Sequence, residues 1–237
     1  MKAFVLAGGL GTRLQPRIGS LPKPLAPIGG RPFVTRQLEW LAGYGVRHAV
    51  ILAGHGAESM REALGTRAAG VELEWSVEPE PMGTGGALRW ARAFVDGPVL
   101  VVNGDTLAEG DPWALERDRW EHGAVGAVAL YEVADARSRG RVERDAQGSI
   151  ARFVEKDERW TGAAWVNGGA YAFAPALWRH LPEGPSSLER DVLPKLAARG
   201  LLRGLPCAGR FWDIGTPEDW ERAERELGFV SKRGLAR

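Results

Sequence analysis

The sequence predicts an α/β protein built on a mostly parallel mixed sheet, on three observations. A short apolar run at residues 2–7 passes directly into Gly8, Gly9 and Gly11, a strand broken by a glycine turn. Short apolar or alternating runs at 49–53, 71–77 and 98–102 are separated by stretches with helical spacing, and such alternation implies right-handed βαβ units. Residues 98–102, Pro-Val-Leu-Val-Val, are apolar without interruption, as expected of a central strand covered on both faces.

Each element has a local reason. Pro32 suits a first helical turn, and Phe33, Leu38 and Leu41 then recur at helical spacing until Gly43 and Gly45. Residues 57–64 form a second helix stopped by Gly65. Residues 71–77 alternate as a half-buried strand, and 83–94 begin in glycines and become helical. Further on, 124–133 and 164–173 read as strands, and 141–155 as a hairpin turning at Asp145-Ala-Gln-Gly148. Residues 187–199 read as helical with Ser187 as cap, and Pro194 predicts a kink or two short helices. Glu189, Arg190 and Asp191 read there as an ordinary solvated face. A last helix spans 218–227, and 229–237 read as a loose tail, leaving one domain over 1–228.

Composition excludes several classes. The 237 residues carry a net charge of only +1, so no strongly basic face for duplex nucleic acid is implied. The single Cys207 rules out an internal disulfide framework and fits a reducing, cytoplasmic setting. No apolar run approaches the ~20 residues of a membrane span. The first residues enter a strand with no signal-peptide pattern, and no hexapeptide array follows the last helix, so no β-helix domain is expected. The sequence leaves open whether the chain forms a homo-oligomer.

The first twenty-five residues carry the strongest chemical signal. Gly8, Gly9 and Gly11 place bare backbone N–H groups on a turn, a positive concavity suited to an anion. Arg13 follows at once and Lys23 ten residues later, so a guanidinium fork and a point charge can reach the same polyphosphate. The dinucleotide fingerprint is excluded, because Leu14 stands where its third glycine belongs; the P-loop is excluded for want of Gly-Lys-Ser/Thr. A packing turn alone would leave Arg13 and Lys23 without a role.

Other groups fall beyond strands, where ligands of such sheets bind. Asp105, in Asn103-Gly-Asp-Thr, can hold Mg²⁺ beside phosphates or simply cap a turn. Asp213 can be a second Mg²⁺ ligand, since Thr216 and Pro217 already supply the cap of the last helix. Glu155 and Lys156 suit sugar hydroxyls and a sugar phosphate, or a surface ion pair. Asn167, ahead of two glycines, suits a sugar hydroxyl or a β-bulge. Gly83 and Thr84 allow close approach to a base or sugar, or simply open a helix.

The run Leu6-Ala-Gly-Gly-x-Gly-Thr-Arg-Leu14 with Lys23-Pro24 resembles the signature of the sugar-phosphate nucleotidyltransferases. The likeness extends over nearly the whole chain, through Gly83-Thr-Gly-Gly-Ala87, Asn103-Gly-Asp-Thr106 and Trp212-Asp-Ile-Gly-Thr-Pro-Glu-Asp219. It is similar above all to D-glycero-α-D-manno-heptose 1-phosphate and mannose 1-phosphate guanylyltransferases. The resemblance implies a Rossmann-like three-layer α/β/α fold and formation of an NDP-sugar and pyrophosphate from an NTP and a sugar 1-phosphate with Mg²⁺. It implies that the backbone of Leu6, Ala7, Gly8 and Gly9, with Gly11 and Thr12, lines the nucleotide. By the same resemblance Arg13 and Lys23 would hold the triphosphate, Asp105 and Asp213 would hold Mg²⁺, and Glu155, Lys156 and Asn167 would take the sugar phosphate. Thymidylyl- and uridylyltransferases of this fold often carry Gln where Glu78 falls. A carboxylate only accepts, and guanine offers two adjacent donors, so Glu78, or else Glu80, points to GTP. The alternatives are a thymidylyl- or uridylyltransferase acting on glucose 1-phosphate, a nucleotidyltransferase with another acceptor, or a non-catalytic nucleotide-sugar sensor.

Overall fold

A computed structural model describes residues 1–137 and 139–228; the tail expected at 229–237 lies outside the described residues. The chain runs β1 (Lys2–Leu6), the one-turn helix α1 (Gln15–Ile18), the short pair β2 (Pro27–Ile28) and β3 (Arg31–Pro32), α2 (Phe33–Gly43), β4 (His48–Ala53), α3 (Ala57–Leu64), β5 (Arg67–Ala68), β6 (Val71–Val77) and α4 (Gly83–Trp90). It continues through β7 (Val99–Asn103), β8 (Thr106–Ala108), α5 (Pro112–Glu121), β9 (Gly126–Val133), β10 (Arg141–Arg144), β11 (Ile150–Val154), β12 (Ala164–Phe173), α6 (Leu193–Ala197), β13 (Leu202–Pro206), β14 (Phe211–Asp213) and α7 (Pro217–Gly228).

The central sheet is mixed. Strands β7, β1, β4 and β6 lie side by side and parallel, with β1 in the middle. On the β7 flank β12 joins antiparallel and pairs with both β9 and β10. The parallel half follows from the βαβ rhythm of the first hundred residues, whereas the second half is joined by hairpins and long returns.

Alternation along each strand divides the interior in two. Ala3, Val5, Ile51, Leu100 and Val102 face a layer containing Leu38 and Leu41 of α2, Met60 of α3 and Leu115 of α5. Phe4, Val50, Leu52, Val99 and Val101 face the opposite layer, with Leu88 of α4, Leu177, Leu188 and Leu196. This is the three-layer α/β/α arrangement. A third cluster joins Leu14, Phe33, Leu107, Trp212, Ile214 and Ala223, seating β14 and α7 against the first loop.

Several local expectations hold. The hairpin turns at Asp145, whose carboxylate accepts from the N–H groups of Gln147 and Ser149. Pro194 separates a π-helical turn, Leu188–Val192, from α6, and Ser187 caps the former. Thr216 caps α7, accepting from Asp219 N–H at 3.2 Å. One expectation is corrected. Glu189 and Asp191 are not an ordinary solvated face, because Asp191 accepts from Ser187 N–H at 2.7 Å and Glu189 turns inward onto Thr84 at 2.7 Å. Glu189 thus reaches α4, while Asp191 closes back on the residue that caps its own π-helical turn.

Helix α5 shows why periodicity can miss an element. Its buried residues are Pro112, Leu115 and Arg119, and the last is polar. Arg119 is held by Glu116 one turn back and by the Ala124 carbonyl, so a buried cation sits where an apolar residue would mark the face.

Candidate active site

The carboxyl ends of β1, β6 and β7 meet at one cavity of about 380 Å³. Its wall includes Leu6, Ala7, Gly8, Gly9 and Leu10, then Lys23, Glu78, Gly83 and Thr84, and Asn103, Gly104 and Asp105 at the end of β7. Three sequence stretches far apart in the chain therefore converge, as parallel-sheet geometry requires. A Cβ at Gly8 would come 2.7 Å from the Glu78 carboxylate and displace it, whereas at Gly9 it would meet nothing. Gly11 adopts φ +62° and turns the chain back against Lys23.

Glu78 packs against the bare backbone of Gly8 and Gly54. Burial pushes its carboxyl pKa up, opposed by the Met82 N–H, which donates at 3.3 Å. Glu80 is exposed and lies off the cavity wall, so of the two acids Glu78 is the one in place. Gly83 and Thr84 open α4 and line the cavity, but the α4 glycines also serve packing. A Cβ on Gly83 would meet the Ser186 carbonyl oxygen at 2.6 Å.

Lys23 and Asp105 form an ion pair at 2.8 Å, both at the cavity wall. Asp213 stands beside this pair, on β14, which is joined to β8. Its Oδ1 accepts from Gly215 N–H at 2.7 Å and its Oδ2 lies 3.4 Å from Arg139. Burial and the Asp105 charge raise the pKa of Asp213, with Arg139 opposing. Arg13 and Lys23 diverge. Arg13 is exposed, off the cavity wall, with its guanidinium toward Gly215 in the Asp213 turn. Thr12 beside it is exposed as well.

A family model described as nucleotidyl transferase matches residues 2–228. The chain belongs to the nucleotidyl transferase family. The mannose-1-phosphate guanyltransferase of Schizosaccharomyces pombe is 34% identical over 227 residues, covering 93% of this chain and 62% of that protein. The mannose-1-phosphate guanylyltransferase catalytic subunit beta of Drosophila pseudoobscura pseudoobscura is 33% identical over 224 residues, covering 92% of this chain and 60% of that protein. The chain thus spans about 60% of the length of the curated relatives it matches. Among solved structures, HddC from Yersinia pseudotuberculosis complexed with GMP-PN aligns with a TM-score of 0.82 at 30% identity, covering 95% of this chain and 99% of that one. A Bacillus anthracis structure in complex with a sucrose shares the fold, with a TM-score of 0.80 at 22% identity.

In this nucleotidyl transferase none of the three residues expected to take the sugar phosphate lines the cavity. Glu155 and Lys156 are exposed just after β11, and Lys156 lines a separate opening with Asp135, Arg137 and Glu158. Asn167 stands at a break in the β9–β12 register and ties it together. Its Oδ1 accepts from Gly169 N–H and its Nδ2 donates to Tyr171 Oη, each at 2.9 Å. The bulge reading therefore holds for Asn167. Asn103 and Glu189 also line the cavity, two residues that the sequence alone does not mark as part of it. Thr84 Oγ1 donates to Glu189 and accepts from Leu188 N–H at 2.8 Å. No local signal marks Glu189, which is 105 residues from its partner. Among the described residues no helix is long and apolar enough to cross a membrane.

Proposed function

We propose that this chain forms a nucleotide-sugar and pyrophosphate from GTP and a sugar 1-phosphate, heptose or mannose, in the cytoplasm. The observation that carries this reading is the convergence of bare Gly8–Gly9 backbone, Lys23, Asp105 and Glu78 on one cavity. Guanine would seat its N1–H and 2-amino donors on the Glu78 carboxylate, and the GMP-PN complex of HddC and the mannose-1-phosphate names of the relatives support it. The backbone N–H groups after β1 would hold phosphate oxygens, and Arg13 and Lys23 would neutralise the triphosphate from two sides. An oxygen of the sugar phosphate attacks the α-phosphorus in line and pyrophosphate leaves, so the protein's task is positioning and charge neutralisation. The exposed Glu155 and Lys156 would engage the acceptor from outside the cavity wall.

Asp105 and Asp213 would hold Mg²⁺. Their fit rests on chemistry present in the fold: two neighbouring carboxylates, the charge of one disfavouring ionisation of the other, with no third acid, His or Cys completing a cage among the described residues. Mg²⁺ prefers such a site, with one or two carboxylates beside substrate phosphates. Bound there, it would neutralise charge growing on the phosphates. Pyrophosphate release should be measured with Mg²⁺ for GTP, dTTP, UTP, CTP and ATP against heptose, mannose and glucose 1-phosphates. Turnover with GTP and one of the first two sugars is expected. Turnover only with dTTP or UTP would discard the Glu78 reading, and silence from folded protein would favour a sensor or a non-sugar acceptor.

A further inference from the structure

Gln37 lies on the face of α2 that packs on the sheet, among Phe33, Val34, Leu38 and Leu41, and is 0% exposed. A buried amide on an apolar helix face is costly unless its polar atoms are paired. Here one end is paired and the other is not. Nε2 donates to the Asn103 carbonyl at 2.7 Å and to the Thr106 carbonyl at 2.5 Å, whereas Oε1 is buried with no partner among the described residues. The amide's orientation follows from its neighbours, since only an NH₂ group can donate to two carbonyl oxygens at once. A buried orphan acceptor is destabilising, and a methionine of similar volume would avoid it. Gln37 therefore does something that an apolar residue of its shape would not.

The two carbonyls it holds stand at either end of the turn Asn103-Gly104-Asp105-Thr106. The middle of that turn is tied elsewhere: Gly104 N–H donates to the Leu6 carbonyl at 2.8 Å, and the Asp105 carbonyl accepts from Ile214 N–H at 2.9 Å. We propose that Gln37 is a positioning residue for Asp105. One NH₂ group sets the span between the ends of the turn, and with it the direction of the Asp105 carboxylate, without touching substrate. The inference rests on the reading of Asp105 as a metal-binding carboxylate.

Two variants test it. Gln37→Met keeps the volume and loses the donor; Gln37→Asn keeps an amide one methylene short of the turn. Mn²⁺ affinity of the nucleotide-free protein is read by electron paramagnetic resonance, beside thermal melting and steady-state pyrophosphate release. In both variants Mn²⁺ should bind at least about fivefold more weakly and kcat should fall about tenfold or more, with KM for GTP held within about threefold, the pattern of a lost transition-state contribution. Wild-type Mn²⁺ affinity and kcat in either folded variant, even with a lowered melting temperature, would reduce Gln37 to packing and overturn the proposal. If Gln37→Met does not fold, Gln37→Asn decides by the same criteria. Wild-type protein that binds Mn²⁺ but turns over no substrate would sink the proposed reaction and leave the Mn²⁺ comparison to judge Gln37. Wild-type protein that does not bind Mn²⁺ would overturn both the metal reading and this one.

Discussion

Gly104→Ala should unseat Asp105 by pressing on the backbone of β1. Gly104 does not adopt a left-handed conformation, so the cost of the methyl is steric. An added Cβ would come 2.7 Å from the Leu6 carbonyl oxygen, 3.2 Å from Pro24 Cγ and 3.4 Å from Ala7 Cα. The first contact is about 0.7 Å inside ordinary van der Waals separation, and its partner is main chain in the central strand. That oxygen also accepts the Gly104 N–H bond of 2.8 Å, so the methyl and the hydrogen bond compete for the same space. Overpacking costs about 1–3 kcal/mol and a lost hydrogen bond about 1 kcal/mol, roughly 2–4 kcal/mol together. For a chain of this size each kcal/mol is worth about 2–4 °C, so melting should fall by roughly 5–15 °C. Turnover should fall further than stability requires, because the residue displaced is the neighbour of Asp105. Differential scanning fluorimetry and pyrophosphate release on the same preparation separate the two effects. A variant melting within about 2 °C of wild type, with wild-type turnover, would refute the packing reasoning and the placement of Asp105 together.

Three further outcomes are expected. Arg13→Ala should lose most turnover with the melting temperature unchanged, because the exposed side chain makes no core contact; near-wild-type activity would remove Arg13 from the mechanism. Asp213→Asn should abolish metal-dependent turnover and stabilise the protein at neutral pH. A raised folded pKa means that the stability contributed by protonated Asp213 is full below the ordinary aspartate range and is lost as pH rises through the raised value. The variant's advantage in denaturant melts should therefore be absent near pH 3 and grow toward pH 7; a pH-independent difference would contradict the assigned burial and Asp105 repulsion. Glu78→Gln should shift preference from GTP toward UTP or dTTP by roughly 10–100-fold, the worth of a charged hydrogen bond. An unchanged GTP-to-UTP ratio in competition assays would detach Glu78 from base recognition.

Much of the fold was readable locally. The strand after Met1, the glycine turn and helices α2 and α3 each carry their own stop and start residues, and backbone conformation depends on neighbours in sequence. The less legible elements carry mixed signals. Strand β13, Leu-Arg-Gly-Leu-Pro, contains a buried arginine that is bonded to Asp118 from α5. Strand β14 is three residues long and has meaning only beside β8.

The sequence by itself determined the α/β rhythm, the glycine turn after β1 and the acids beyond β7 and in β14, because strand period and glycine conformation act over a few residues. Only the tertiary structure decided which groups meet. Lys23 reaches across 82 positions to Asp105, and Thr84 across 105 to Glu189. Arg13 parts from Lys23 toward the Asp213 turn, Glu155 and Lys156 stay exposed and off the cavity wall, and Gln37 grips the Asp105 turn. Those meetings depend on strand order and on how helices seat against the sheet. Burial and hydrogen-bond satisfaction over the whole chain settle both, and no single stretch of residues encodes them.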